Sequence, residues 1–396
     1  MYTRPAVGLY FHIPFCVAKC SYCDFNSYAN LRHLFLAYSQ ALLAELGEAF
    51  STWEFDVKTV YIGGGTPTVL PVQTIQDVLA ATKRKTLDIE EVTTEANPGT
   101  LTPGYLKALR AAGINRISLG LQSMNDKELR LLGRIHNSQE ALSSIDLIRA
   151  SGFKNLNLDL MYGLPEQTLS SWEKTLDRAL SVHPDHLSLY ALTIEPDTPL
   201  ATSIEKGFIQ RADDDLSADM YELSEEKLRL AGYVHYEISN WALPGRECRH
   251  NLIYWRNEPY LGIGAGAWSY WQGRRWGNIR SPWLYISQIE ANRSVVEECE
   301  GISPTQAISD TLILGLRLSG GVRWNDFSER FGLDMKQVYG REIEQLERLA
   351  LLEVDPLGIR LTSKGRLLGN EVFEKFLEKL QEGRSLSRST SSTSTE

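Results

Sequence analysis

The chain predicts an α/β fold: a partial (β/α)6 barrel over residues 1–240, an aromatic-rich extension over 241–300, and a small helical, winged-helix-like C-terminal domain over 301–382. Three observations carry this. Short apolar, β-branched runs alternate with helix-period segments as far as residue 240. Residues 241–300 then break the alternation with a dense mixture of Trp, Tyr, Gly and Arg. From about residue 304 the pattern becomes helical, with one strand-turn-strand.

The first strand is the run Val7-Gly-Leu-Tyr-Phe-His-Ile. Similar runs follow at 57–62, 91–96, 115–120, 155–160 and 186–192. Helix-period segments lie between them, including 34–49, 71–82, 138–151 and 168–181. Short buried-type strands separated by amphipathic helices predict a parallel sheet. Six such units, closed or partly closed, give a barrel-like fold. A doubly wound open sheet has the same periodicity and stays open as the alternative. Residues 241–300 predict loops and extra strands beside the barrel, with few clear helices. Helices follow at 304–317 and 334–350, a hairpin at about 352–361 turning at Asp355-Pro-Leu-Gly, and a last helix at about 364–382. Many Glu residues in these helices favour an interaction or lid role over DNA binding. The tail, 383–396, is Ser/Thr-rich with almost nothing to bury, and reads as disordered.

The bulk composition excludes several classes. The chain has 396 residues, 43% hydrophobic and 23% charged, with a formal net charge of −9. That balance argues against a general nucleic-acid-binding surface. No apolar run reaches the roughly eighteen residues of a membrane span. The N-terminus lacks signal-peptide organisation, which predicts a cytoplasmic, reducing location. The five cysteines fit this reading, being odd in number and unlike a disulfide framework.

The unusual residues fall at strand ends. Cys16, Cys20 and Cys23, spaced C-x3-C-x2-C, follow the first strand. Gly63-Gly-Gly-Thr-Pro follows the second, and Glu95-Ala-Asn-Pro ends the third. Gln122 closes the fourth, Asp159 lies near the end of the fifth, and Tyr190 and Thr193 end the sixth. In a βα barrel these ends gather on one face, where active sites are built. Cubane iron–sulfur clusters usually take four thiolates, one per iron. Three thiolates in one loop leave an iron open, and an open position meets substrate or cofactor. Simpler readings exist for each feature. Three cysteines with His12 could hold zinc. The Gly63 run could be only a tight turn. Glu95 or Asp159 could be a helix cap or an ion-pair partner.

Taken together, the pattern resembles the radical S-adenosylmethionine (SAM) superfamily, whose defining motif is present as Cys16-Val-Ala-Lys-Cys-Ser-Tyr-Cys. There the amino and carboxylate groups of SAM chelate the open iron of a 4Fe-4S cluster. One electron then breaks the sulfonium C–S bond to give a 5′-deoxyadenosyl radical. Within the superfamily, Tyr10-x-His-x-Pro-Phe-Cys, Gly63-Gly-Gly-Thr-Pro, Glu95-Ala-Asn-Pro-Gly, Asn115-Arg-Ile-Ser-Leu-Gly-Leu-Gln-Ser and Asp159-Leu-Met-Tyr-Gly-Leu-Pro resemble oxygen-independent coproporphyrinogen III oxidase and its relatives, over about residues 7–380. The resemblance implies that Cys16, Cys20 and Cys23 bind the cluster and that Tyr10 packs against the bound cofactor. It places Gly64, Gly65 and Thr66 along the methionine portion of SAM. Glu95, Gln122, Arg134 and Asp159 would hold the remainder, with Arg134 suited to a carboxylate.

Two departures from the oxidases matter. They continue the cluster motif with a further cysteine two residues on, where this chain has Phe25. They also carry a longer segment before the Tyr-x-His-x-Pro motif, where this chain has nine residues. Both features resemble instead the HemW family of heme chaperones. His250-Asn-Leu-Ile-Tyr-Trp matches the H-N-x-x-Y-W motif of that family. The resemblance implies heme as a ligand, with His250 as an axial donor and flat aromatic walls from Trp241, Tyr254, Trp255, Tyr260, Trp268, Tyr270, Trp271 and Trp276. A structural histidine among core aromatics is the simpler reading of the same residues. Cys248 reads as a second iron ligand or as a small buried apolar residue. Gly262-Ile-Gly-Ala-Gly-Ala fits a dinucleotide fingerprint, but the residues after it do not read as the long helix such a site needs. The expectation is therefore a heme carrier that passes heme to an acceptor protein. The alternative is the oxidative decarboxylation of coproporphyrinogen III, and a zinc-stabilised α/β protein without redox chemistry is a third.

Overall fold

The structure, a computed structural model, describes residues 4–86 and 88–377. The expected tail, 383–396, and residues 378–382 of the expected last helix lie outside the described residues. Six parallel strands form the centre: β1 (Ala6–Ile13), β2 (Asp56–Gly64), β3 (Glu91–Ala96), β4 (Arg116–Gln122), β5 (Leu156–Tyr162) and β6 (His186–Ala191). Each pairs with the next in chain order. A doubly wound sheet reverses its strand order at a switch point. These six strands have no reversal, so the barrel-type winding is the correct choice.

The sheet is open, and both edges are extended to give twelve strands among the described residues. Beyond β6 lie Asn240–Ala242 and then Val234–Glu237, both antiparallel pairings. Beyond β1 lies Tyr260–Ile263, parallel to it, followed by the antiparallel strands Trp268–Trp271, Arg274–Asn278 and Val296–Gly301. The aromatic-rich extension is thus part of the main sheet. Its strands are three to six residues long, too short for an alternating pattern to register in sequence. Two helices that the sequence reading did not resolve, Arg249–Trp255 and Pro282–Glu290, lie in the same stretch. No helix follows the glycines after Tyr260–Ile263; the chain turns directly into Trp268–Trp271. The dinucleotide fingerprint therefore has no structural support.

Period-two alternation divides each strand between two environments. Leu9, Phe11 and Ile13 of β1, Val60 and Ile62 of β2, Ile117, Leu119 and Leu121 of β4, and Leu156, Leu158 and Leu160 of β5 join the main apolar core. Leu42, Leu46, Ile145 and Ile148 from the flanking helices complete it. The alternate residues face the other way and are largely polar: Tyr10 and His12, Thr59 and Tyr61, Glu91 and Glu95, Arg116 and Ser118, Asn157 and Asp159, His186 and Ser188. Several of them pair across strands, while Arg116 Nε is buried without a hydrogen-bond partner. Ser118 Oγ donates to Asp159 at 3.0 Å, Asn157 Nδ2 donates to Ser118 at 2.7 Å and to Asp159 at 2.8 Å, and His186 Nδ1 meets Asn157 at 2.6 Å. A buried polar face costs little when its groups are paired in this way.

The helices start where the sequence supplies caps. Asn137 and Glu140 form a capping box at Ser138–Ala150, and Thr168 with Ser171 does the same at Leu169–Leu180. In the C-terminal part, helices Pro304–Gly315, Trp324–Phe331 and Met335–Arg348 surround a three-stranded antiparallel sheet, Val322–Arg323, Gly358–Leu361 and Leu352–Val354. That order is winged-helix-like, and it encloses a second apolar cluster around Leu312, Phe327 and Ile343. Arg330 ties it back to the barrel, donating to the carbonyls of Arg256 at 2.8 Å and Asn257 at 2.6 Å.

Candidate functional site

The cysteine loop leaves β1 and is closed at its base by a two-residue parallel pairing, Phe15–Cys16 with Tyr28–Ala29. Asn26 anchors it from the side, donating to the carbonyls of Ala265 at 2.9 Å and Arg280 at 3.0 Å. Cys16, Cys20 and Cys23 all line one cavity of about 380 Å³ at the C-terminal ends of the strands. Among the described residues, no three His, Cys, Asp or Glu side chains converge on a single ion. His12 is also engaged at both ring nitrogens, with the Tyr10 hydroxyl at 3.0 Å and the Asn26 carbonyl at 2.9 Å. The zinc arrangement with His12 is therefore not formed. Three separated thiols fit a polynuclear cluster, in which each sulfur binds its own iron. Burial pushes the Cys16 and Cys23 thiols up, so their thiolates call for a cationic partner.

Hydrogen bonds connect the loop to the neighbouring strand ends. Thr66 Oγ1 donates to Cys16 Sγ at 3.6 Å, and Asn97 Nδ2 donates to Thr66 at 2.8 Å. Arg134 donates to Asn97 Oδ1 at 2.6 Å, to the Gly120 carbonyl at 2.7 Å and to Cys20 Sγ at 3.3 Å. A continuous path thus runs from one cysteine to another through Thr66, Asn97 and Arg134. Asn97 is its centre, and the sequence reading assigned it no role although it stands in Glu95-Ala-Asn-Pro. Glycine is required where the second strand meets the loop. Gly64 has φ +113°, and a Cβ there would lie 2.6 Å from the His12 ring. A Cβ on Gly65 would lie 2.7 Å from the Phe15 carbonyl.

Gly64, Gly65, Thr66, Glu95, Gln122, Arg134 and Asp159 line the same cavity as the cysteines. Tyr10 lines a neighbouring cleft of about 420 Å³, which shares Asp24, Phe25, Gly64 and Glu95 with it. Tyr61, Ser118, Met161 and Glu195 also face the cysteine cavity and were missed. Glu95 accepts from the Tyr61 hydroxyl at 2.8 Å and from Gly64 N–H at 3.0 Å. Burial, reinforced by Asp159, pushes its carboxyl up to about 7, against those two hydrogen bonds. Burial also raises the Asp159 carboxyl. Two buried carboxylates create a demand for positive charge and hydroxyl donors. Arg134 Nε is buried without a partner, a donor in want of an acceptor. A sulfonium, ribose hydroxyls and a carboxylate, all parts of SAM, answer these three features together. The residues present therefore fit SAM, with the thiols fit for a 4Fe-4S cluster.

His250 is not in that cavity. It sits on the helix Arg249–Trp255, beneath the polar face of the strands, and is 1% exposed. Its Nδ1 is hydrogen-bonded to Thr59 Oγ1 at 2.7 Å and its Nε2 to the Tyr254 hydroxyl at 2.9 Å. Burial, with Arg116 nearby, pushes its pKa down to about 3. In this conformation both ring nitrogens are engaged by neighbouring hydroxyls. Cys248 is fully buried, donates to Glu91 at 3.4 Å and has its thiol pushed up to about 12, which suits the small-residue reading. Aromatic surface lies instead at the neighbouring cleft, where Phe25 is 64% and Trp268 42% exposed beside Arg280.

Comparisons with known proteins align with this geometry. Residues 10–179 match the radical SAM superfamily, and residues 302–368 match the HemN C-terminal domain. The heme chaperone HemW of Lactococcus lactis is 38% identical over 372 residues, 93% of this chain and 96% of the relative. HemW of Bacillus subtilis is 37% identical over 94% of this chain and 99% of its own. HemW of Escherichia coli is 43% identical over 67% of this chain and 71% of its own. Among solved structures, the Escherichia coli coproporphyrinogen III oxidase (HemN), described as a radical SAM enzyme, superposes with a TM-score of 0.82 at 25% identity. That match covers 94% of this chain and 90% of the oxidase.

Proposed function

Because the chain belongs to the HemW family of the radical SAM superfamily, we propose that it is a heme chaperone, binding heme and passing it to an acceptor protein. The single observation carrying this reading is the similarity, over more than nine-tenths of the chain, to the HemW proteins of Lactococcus lactis and Bacillus subtilis. Phe25, standing where the oxidases have a further cysteine, supports the same choice.

In this reading Cys16, Cys20 and Cys23 hold a 4Fe-4S cluster. Such a cluster supplies an open iron and a single electron. Arg134 and Glu95 orient SAM at the strand ends, with Gly64 and Gly65 allowing close backbone approach and Asp159 and Gln122 beside the remainder. Heme docks at the adjoining cleft against the 241–300 extension, with Phe25 and Trp268 as flat walls and Arg280 opposite the propionates. Both sites share Glu95 and Gly64, so occupancy of one bears directly on the other. The five free cysteines suit a reducing, cytoplasmic setting.

Two measurements test this reading. Anaerobic purification should give a brown protein with about four irons per chain; a colourless, zinc-loaded product would rule out the cluster. Incubation with coproporphyrinogen III, SAM and a reductant should leave the porphyrinogen unchanged. Formation of protoporphyrinogen IX would replace the chaperone reading with the oxidase.

A further inference from the structure

The cysteine loop borders a second, shallow groove of about 20 Å³ beside the cavity, framed by Val17, Ala18, Gly133 and Ile135. Cys20, Thr66, Asn97 and Arg134 line both the groove and the cavity, so one layer of side chains separates the two. Val17 is 45% exposed and Ile135 61%, so neither serves the core. A single exposed apolar residue needs no explanation. This pair, however, frames a groove that ends on a cysteine. The groove is also held in shape. Ser21 N–H donates to the Leu132 carbonyl at 3.1 Å and Ser21 Oγ to the Leu131 carbonyl at 3.0 Å, which joins the loop to the 131–135 turn. Gly133 permits that turn: its φ is +69°, and a Cβ there would lie 3.1 Å from Ser21 N.

The local charge is opposite to that of the chain. Arg134 is the charged residue of the groove, and Lys19 and Arg130 are exposed in the two segments that frame it. Asp126 partly answers Arg130, but its carboxylate is held by the Ser138 N–H at 2.7 Å. Asp24 lines the two larger clefts, and Glu166 pairs with Lys127 at 2.7 Å. The whole chain carries −9. A cationic groove with apolar walls, on an acidic protein, steers an acidic partner to this one place.

We propose that the groove is where an acidic one-electron carrier protein of the low-potential ferredoxin type docks and reduces the cluster through Cys20. One electron leaves the iron–sulfur centre of the carrier and enters the cluster; no bond forms or breaks and no proton moves. Electron tunnelling falls off steeply with distance, which favours the cysteine that reaches the groove. Electron-transfer complexes bury less than about 1,200 Å², so a small patch suffices. The inference rests on the reading that Cys16, Cys20 and Cys23 hold a 4Fe-4S cluster.

The test uses the full-length, cluster-loaded chain and a plant-type ferredoxin. Calorimetry measures binding of the oxidised ferredoxin. Rapid-freeze electron paramagnetic resonance, which separates the two centres, follows electron transfer from the reduced one, with dithionite as the small-molecule reductant for comparison. Ile135→Asp and Arg130→Glu should each lower the affinity and the second-order rate constant about tenfold, with iron content and the dithionite rate unchanged. Leu357→Asp, a similar change at an exposed residue of the C-terminal hairpin, should keep wild-type values. Added salt should slow the wild-type reaction, because it screens the local attraction; repulsion between two acidic proteins as wholes would make salt speed it up. Wild-type values in either groove variant, an equal loss in Leu357→Asp, acceleration by salt, or no reaction of the wild type with ferredoxin would each overturn the inference. A wild-type chain that holds no iron, or whose colour dithionite does not bleach, would instead sink the reading of the three cysteines.

Discussion

At the scale of single residues, the site depends on side chains that link the cysteine loop to the strand ends. Asn97 contacts both Thr66 and Arg134, each of which donates to a different cysteine. Asn97→Ala leaves three thiols in place but frees both donors. It should retain near-wild-type iron while weakening SAM about tenfold by equilibrium dialysis; unchanged affinity would show that Thr66 and Arg134 hold their places without it. Phe25 stands between the cysteine cavity and the neighbouring cleft and lines both. At 64% exposure it adds little to the core. Phe25→Ala should therefore leave thermal stability within a degree or two, while lowering hemin affinity several-fold if it forms one wall of the heme cleft. The cysteines, glycines and carboxylates were legible in sequence because each stands at a local spacing or at a strand end. Asn97, Tyr61 and the environment of His250 were not. Their partners lie 31, 34 and 191 residues away, brought together only by sheet pairing.

At the scale of elements, strand positions were legible to within about two residues, because runs of apolar β-branched residues mark buried strands. The polar face was hidden inside the same runs. Thr, Tyr and Ser in alternate positions pass for ordinary strand formers, and only the fold shows that they meet across a common interior. The helix Phe35–Thr52 carries a further buried group, Glu45, which accepts from Tyr285, from Asn278 at 2.6 Å and from Gly264 N–H at 2.8 Å. It fastens this helix to the extension beyond β1. Burial raises its carboxyl from 4.5 to about 7, although the three donors oppose the shift. The folded state thus keeps a proton that the unfolded chain has lost. The associated stability is complete below pH 4.5 and is lost as pH rises through about 7. Glu45→Gln should therefore show a smaller fall in urea midpoint between these limits than the wild type. An identical fall would assign the pH dependence to other buried acids such as Glu95.

For the whole molecule, the fold class was readable because alternating strands and helices dictate a parallel sheet, while open edges and strand order were not. The strands that extend the sheet at each edge are short and aromatic, and their register depends on β1 and β6 rather than on their own pattern. The helix bearing His250 is held between the polar interior and the C-terminal part, with Arg317 over the Trp255 ring at 4.4 Å and Arg330 on the carbonyls at its end. The C-terminal part is thus tied to the underside of the barrel, opposite the cysteine loop. The central claim is that this barrel carries heme. Hemin titrated anaerobically into the cluster-loaded full-length chain measures it most directly. A heme carrier gives a saturable Soret band, distinct from that of free hemin, at about one heme per chain. A spectrum that remains that of free hemin throughout the titration would contradict it.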